Sequence, residues 1–262
     1  ITAANTFVAT VGAITELGAI PVFVDCDDTF CMNVDLLEKK ITKKTKAIVP
    51  VHFTGYMTRM DKLLKISRKY NLPVIEDACQ SILGSYKNKN AGTWGVTGAF
   101  SLHPLKNINV WSDGGIITTN SKKIYDKLIA IRNNGVNAEP ENARLELASE
   151  LGLNLKPSDL HASIGLVNFD SKNEKIKNLK KIFNFYRKNI INKKIDFLNV
   201  EGKNTVPCYP QILVKNRKKF EKYCNRNQIG LHLGIRCLNK TKNFFKKNDQ
   251  TLKYSIQFSD HV

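Results

Sequence analysis

The stretch FSLHPLKNINVWSDGG (Phe100–Gly115) decides how this chain is read. An apolar segment, GAFSLH (Gly98–His103), runs into a Pro-Leu-Lys-Asn turn, and a second, GIITTN (Gly115–Asn120), starts after Asp-Gly-Gly. Pro104 suits entry to a turn, and Gly114 and Gly115 are most simply turn residues ahead of a strand. Lys106 is therefore held in a tight polar turn between two strands, five residues after Ser101. It is the single lysine between Lys89 and Lys122. Upstream, VIEDACQS (Val74–Ser81) carries an acid, Asp77, at the end of another apolar run.

Working outward, strand-like and helix-like segments alternate. The opening ITAANTFVATVGAI reads as an amphipathic helix capped by Asn5 and ended by Gly18. Strands follow at Ala19–Asp25, Lys46–Phe53 and Leu72–Asp77, with helices at Val34–Ile41 and after Asp61, which is placed to cap MDKLLKISRKY. A helix from about Lys122 to Asn133 comes after the lysine turn, and a loop with a weak helix spans Asn137–Asp159. Pro157 and Ser158 start a long helical stretch to about Ile190, broken near Asp170. A strand at Cys208–Val214, a helix at Asn216–Asn227 and a further strand read as a smaller α+β domain. Strands without clear alternation, separated by helices, predict an α/β fold with a mostly parallel sheet covered on both faces. In such a sheet the ligand sits beyond the carboxyl ends of the strands. Asp77 and Ser101 both fall on that rim.

Composition narrows the class. At 262 residues the chain accommodates one large domain or a large and a small one. No apolar run approaches the roughly 20 residues of a membrane helix, and the start lacks a signal-peptide pattern. Six cysteines without a C-x-x-C pair indicate reduced thiols and a cytoplasmic setting. Five scattered histidines offer no zinc spacing, so no metal is expected. Net charge is +18, concentrated at the back: residues 1–167 hold 19 Lys/Arg against 16 Asp/Glu, whereas residues 168–262 hold 22 against 7. Lys outnumbers Arg 33 to 8, exposed aromatics are not interleaved, and no nucleic-acid motif appears. Nucleic acid is therefore not an expected partner.

A lysine in a turn, an acid at a neighbouring strand end and a nearby hydroxyl suit pyridoxal 5'-phosphate (PLP). That cofactor needs a lysine to hold its aldehyde carbon as a Schiff base and a carboxylate on its ring nitrogen. It also needs donors for its phosphate and something flat against the ring. Lys106 and Asp77 fit the first two needs, and Ser101 could serve the third.

The ordered set NTFVATVGAI, GAIPVFVD, TKAIVPVHFTG, VIEDACQS, AFSLHPLKNINVWSDGG, RNNG and NLKPSDLHASIGL resembles the DegT/StrS-type sugar aminotransferases over nearly the whole chain. These enzymes have the aspartate-aminotransferase fold, fold type I. The resemblance implies that Lys106 and Asp77 are catalytic: Lys106 binds the cofactor and then moves the proton, while Asp77 pairs with the ring nitrogen. It further implies that Gln80 hydrogen-bonds the ring hydroxyl, Ser101 binds phosphate, and Phe7 stacks on the ring. Asn154 would reach the phosphate of a neighbouring subunit, which makes the active unit a homodimer. His103, though close to the lysine, receives no chemical task.

By the same resemblance, residues 1–166 form the PLP-binding large domain and residues 167–262 the small C-terminal domain. The chain looks truncated at both ends: it has no initial Met, the relatives' phosphate-binding N-terminal portion is absent, and the sequence stops at FSDHV. Two departures fall elsewhere: GIRCLN (Gly234–Asn239) stands where relatives often show His-Tyr-Pro, and Ser112 stands where glycine is usual. The implied activity is amination of a nucleotide-linked keto sugar with glutamate as donor, feeding bacterial polysaccharide, lipopolysaccharide or glycoside synthesis. Two rivals remain: a PLP-dependent sugar dehydratase, whose Schiff-base lysine is replaced by histidine, and a non-catalytic regulatory or nucleic-acid-binding relative.

Overall fold

The computed structural model describes residues 1–136, 148–198 and 205–232, together with Gly234, Cys237, Leu238, Leu252, Lys253 and Ser255. In chain order the regular elements are β1 (Thr2–Ala3), α1 (Val8–Glu16), β2 (Phe23–Val24), α2 (Met60–Lys69), β3 (Ile75–Asp77), β4 (Ser85–Tyr86) and β5 (Lys89–Asn90). Then come β6 (Thr97–Ser101), β7 (Gly115–Thr118), α3 (Lys122–Arg132), α4 (Asp159–Asp170), α5 (Lys172–Asn189), β8 (Ile195–Phe197), β9 (Ile212–Val214) and α6 (Arg217–Arg226).

Parallel pairing of β1 with β2, of Thr2 with Val49, of Ile48 with Val74, and of β3 with β6 builds the main sheet. Its order is β2, β1, residues 48–51, β3, β6, β7, and only β7 runs antiparallel, against β6. The mostly parallel sheet expected from the sequence is thus observed. One face packs on a core that includes Val24, Phe30, Met32, Leu37, Ile48, Phe53, Met60, Leu63 and Val74, all nearly or fully buried. Each such side chain contributes roughly 1.5–3 kcal/mol by leaving water.

Four local expectations are corrected. The first residues form strand β1, not a helix, because Thr2 and Ala4 donate their N–H groups to Val22 and Val24. Helix α1 starts only at Val8, with Phe7 rather than Asn5 at its N-cap; Gly18, at φ +70°, does follow its end. The segment Val34–Ile41 forms two 3₁₀ turns, Val34–Leu36 and Glu38–Lys40. Its buried residues, Val34 and Leu37, are three apart, the spacing that a 3₁₀ turn stacks on one side.

Residues 46–53 join the sheet only through isolated pairings, since Pro50 has no N–H and serves as an acceptor for Asp77 N. Finally, Asp61 lies in the first turn of α2 without capping it. Its carboxylate binds Lys87 Nζ and Tyr86 Oη instead, and the Lys87 bond, the chief cause, holds its pKa down at about 2.

Farther along, the predicted break in the long helix falls at Ser171, between α4 and α5, and Ser158 caps α4 by accepting from His161 N. β8 and β9 pair antiparallel, and α6 is capped by Asn216. Of the loop with a weak helix expected over Asn137–Asp159, residues 137–147 lie outside the described residues and residues 148–158 form no helix; most of the strand expected after α6 also lies outside the described residues. None of the six cysteines is in a disulfide, and no helix among the described residues is long and apolar enough to cross a membrane.

Candidate active site

The carboxyl edge of the parallel strands gathers the loops that follow β1, residues 48–51, β3 and β6. Asp77 ends β3, paired with Ala99 of β6 on one side and Val51 on the other. Its backbone is pinned by Asp77 N donating to Pro50 O (2.9 Å) and His52 N donating to Asp77 O (2.9 Å). The carboxylate is pinned as well: Oδ1 accepts from Cys79 N at 3.1 Å and Oδ2 from Thr10 Oγ1 at 2.6 Å.

Lys106 sits in the predicted turn. Its N–H donates to His103 O at 2.8 Å and its carbonyl accepts from Asn109 Nδ2 at 3.3 Å. The turn is closed by Leu102 N to Gly114 O and by Val110 N to Leu102 O. His103 Nδ1 accepts from Leu105 N, so that imidazole braces the turn, in keeping with a packing role. Lys106 Nζ makes no hydrogen bond or ion pair among the described residues.

The Asp77 and Lys106 charges both act on Cys79. Burial pushes this thiol's pKa far up, the Asp77 charge pushes it the same way, and the Lys106 charge opposes both. One sulfur atom, also 3.7 Å from Ala99 O, therefore senses the acid and the lysine together. Burial likewise raises Cys208 to about 11, against the Lys106 charge.

The other expected residues fall as follows. Gln80 is buried beside Asp77, and its Oε1 accepts from Thr54 N at 2.7 Å. With the oxygen engaged, its NH₂ is the end that can donate to a ring hydroxyl. Ser101 ends β6 opposite Gly115, half-buried, and its Oγ accepts from His103 N at 3.3 Å. Phe7 is 59% exposed at the N-terminus of α1, so its ring is a free face and not part of the core. Asn154 pairs with Asn133 in a short bridge and is exposed. Asp77, Gln80, Ser101 and Lys106 are thus carried on β3, β6 and their loops, and Phe7 on the loop after β1, which residues 48–51 separate from β3. Asn154 is carried on a separate segment.

Several residues of this site carried no signal that singled them out in the sequence. Glu76, fully buried, accepts from His52 Nε2 (2.9 Å), Gly92 N (2.9 Å), Trp94 N (2.6 Å) and Gly95 N (2.7 Å). Burial alone would raise its pKa, but the bond to His52 and the Gly95 and Gly92 N–H groups outweigh it and hold the carboxyl below the usual glutamate value. His52 Nδ1 accepts from Thr58 N at 3.4 Å, which places the ring proton on Nε2, facing Glu76. The loop over Glu76 needs glycine: a Cβ on Gly95 would lie 2.2 Å from Val74 O.

Residues 207–209 form a strap across the site. Asn107 Nδ2 donates to Pro207 O (3.3 Å), Tyr209 Oη to Leu105 O (2.6 Å) and Cys208 N to Thr54 O (3.2 Å). Both neighbours of Lys106, and the loop that holds Gln80, are thereby tied to one segment. Its sequence signal, an aromatic and a proline ahead of β9, is too common to find it by.

The donor set fits PLP. An acceptor carboxylate with both oxygens oriented, an amide with its NH₂ available, an unpaired primary amine and an exposed aromatic face are the groups that such a cofactor requires.

The family model described as the DegT/DnrJ/EryC1/StrS aminotransferase family matches residues 1–261. The chain is 34% identical over 252 residues to an uncharacterized protein of Methanocaldococcus jannaschii, covering 88% of this chain and 63% of that one. It is 31% identical over 257 residues to the GDP-perosamine synthase of Escherichia coli O157:H7, covering 98% and 67%. The chain thus spans about two thirds of the length of these curated relatives. Its fold matches PseC of Helicobacter pylori, an aminotransferase of pseudoaminic acid biosynthesis, with a TM-score of 0.91 over 99% of this chain and 71% of that one, at 21% identity. The architecture is accordingly that of fold type I PLP-dependent transferases, and the chain belongs to the DegT/DnrJ/EryC1/StrS aminotransferase family.

Proposed function

We propose that this chain forms most of a PLP-dependent aminotransferase that moves an amino group from glutamate to a nucleotide-linked keto sugar in the cytoplasm, within bacterial polysaccharide or glycoside synthesis. The observation that carries the reading is the parallel pairing of β3, which ends in Asp77, with β6, which runs through Ser101 into the turn that presents Lys106, at the carboxyl edge of the sheet. PLP, when bound, supplies an electron-poor ring that accepts the electron pair of a breaking C–H bond. Asp77 Oδ1 and Oδ2 offer their remaining lone pairs to the ring nitrogen. Gln80 Nε2 donates to the ring hydroxyl, Ser101 Oγ to the phosphate, and the Phe7 ring covers one face. Lys106 Nζ holds the cofactor at rest and, once released, carries the proton to and from the substrate carbon. Residues 1–166 serve as the cofactor domain and 167–262 as the smaller one.

A second copy of the chain completes the site. Helix α4 buries none of its residues, and Leu160, Leu166 and Val167 are each about 70% exposed. Leu151, Leu153 and Leu155 extend that apolar surface through the segment that bears Asn154. Contiguous apolar surface of this kind marks an interface. It abuts the lysine loop, since Asn168 Nδ2 donates to Asn109 O at 2.7 Å. The double variant Leu160→Glu/Leu166→Glu is expected to be monomeric in light scattering and to lose most of its PLP affinity; a stable dimer would contradict this interface.

The functional test uses the full-length protein with ¹⁵N-glutamate and a panel of nucleotide-linked keto sugars, read by mass spectrometry. Transfer of ¹⁵N to one sugar supports the proposal. A colourless protein that takes up no PLP and binds DNA in a salt-sensitive way would replace it with the regulatory reading.

A further inference from the structure

We infer that Thr10, oriented by Thr6, is a positioning residue that sets the face Asp77 presents to the cofactor's ring nitrogen; this rests on the PLP reading above. Thr10 lies in the first turn of α1, three residues after Phe7. One helical turn thus carries both the exposed ring and a hydroxyl that reaches the acid. Thr10 Oγ1 is 2.6 Å from Asp77 Oδ2 and 2.7 Å from Thr6 Oγ1. A carboxylate only accepts hydrogen bonds, and a hydroxyl has one proton to give. Thr10 must therefore donate to Asp77, and Thr6 must donate to Thr10. The direction of the relay is fixed.

Thr6 is wholly buried and Thr10 is 9% exposed, so bulk water is poorly placed to replace either hydroxyl. Cys79 N holds the other carboxylate oxygen. With one protein donor on each oxygen, the plane of the carboxylate is set, and the lone pairs left over are the ones a ring N–H can use. The terminal torsion of an aspartate is broad. Removal of the Thr10 hydroxyl leaves only the Cys79 N–H as a pin and lets the carboxylate turn about Cβ–Cγ. A ring nitrogen facing a turned carboxylate loses its aligned acceptor and holds its proton less firmly. A role in folding alone would leave that proton untouched.

The experiment uses the full-length protein and compares Thr10→Val, which keeps the side-chain shape, with Thr10→Ser, which keeps the hydroxyl. Two quantities are read: the dissociation constant for PLP titrated into the cofactor-free protein, and the ¹⁵N resonance of ring-labelled PLP. Thr10→Val is expected to weaken PLP binding roughly 10- to 100-fold, the range for a lost hydrogen bond to a charged group. It should also move the ring resonance toward the unprotonated position. Thr10→Ser should restore both, and Thr6→Val should show a smaller change in the same direction.

A Thr10→Val protein that melts earlier yet keeps wild-type PLP affinity and resonance overturns the inference. Should Thr10→Val fail to fold, Thr6→Val decides the matter by the same two readouts, and wild-type values there overturn it. A wild-type protein that binds no PLP overturns this inference and the functional reading together. An unchanged variant of a PLP-binding wild type overturns this inference alone.

Discussion

Lys106→Ala is expected to abolish covalent cofactor attachment and to lower amino transfer by at least about a thousandfold. Its amine is the one group in the turn able both to bond the cofactor and to carry the proton, and a positioned base alone accounts for roughly 10²–10⁴ in rate. Nothing among the described residues neutralises Lys106 Nζ, and the turn that presents it is closed by hydrogen bonds within residues 102–114 and to the strap. The substitution should therefore leave the fold intact. Borohydride reduction followed by peptide mapping reads the result: wild type should carry the reduced cofactor on the peptide containing Lys106, and the variant on no peptide. Trapping on another lysine, or retained turnover in the variant, would remove Lys106 from the chemistry.

The second large effect concerns stability. Glu76→Ala is expected to cost several kcal/mol, since each buried donor left without its acceptor costs about 1–3 kcal/mol. Three backbone N–H groups and the His52 ring N–H would lose their acceptor where neither Glu76 nor His52 is exposed at all. For a chain of this length the melting temperature should fall by on the order of 10 °C.

The pH dependence has a definite sign. The folded-state pKa of Glu76 lies below its ordinary value of 4.5. Its stabilising contribution is therefore complete above about pH 4.5 and is lost as pH falls through the lower, folded-state value. Thermal melts of wild type should lose stability on that acid limb, whereas Glu76→Gln should be less stable at neutral pH and change less below it. Equal stability and an identical acid limb in both proteins would show that the network around Glu76 does not matter. Glu76 is also the covalent neighbour of Asp77, so its loss should disturb cofactor binding.

How far the sequence could be read depended on the range of each interaction. The lysine turn was legible because its signals are local: an apolar run, Pro104, Lys106 and Asp-Gly-Gly lie within one hairpin, and β6 and β7 pair where those signals place them. The helix starts at Ser158 and Asn216 were legible for the same reason, and in the structure both side chains cap. Asp77 and Ser101 could be assigned to one rim because parallel strands present their carboxyl ends together. The opening residues misled, since a short apolar run suits a strand or a helix equally until its partners, Val22 and Val24, are known. Asp61 looked like a cap, but Lys87 and Tyr86 claim it from 25 or more residues away. Glu76 reaches its nearest side-chain-bonded partner across 16 residues, Thr10 reaches Asp77 across 67 and Tyr209 reaches Leu105 across 104, and nothing in their immediate sequence announces it.

The crystal structure of the full-length protein with PLP tests the central claim most directly. The cofactor's aldehyde carbon should be bonded to Lys106 Nζ, and its ring nitrogen should lie within about 2.6–3.2 Å of the Asp77 carboxylate. A ring seated elsewhere, or one whose nitrogen faces a group other than Asp77, would contradict the assignment of this site.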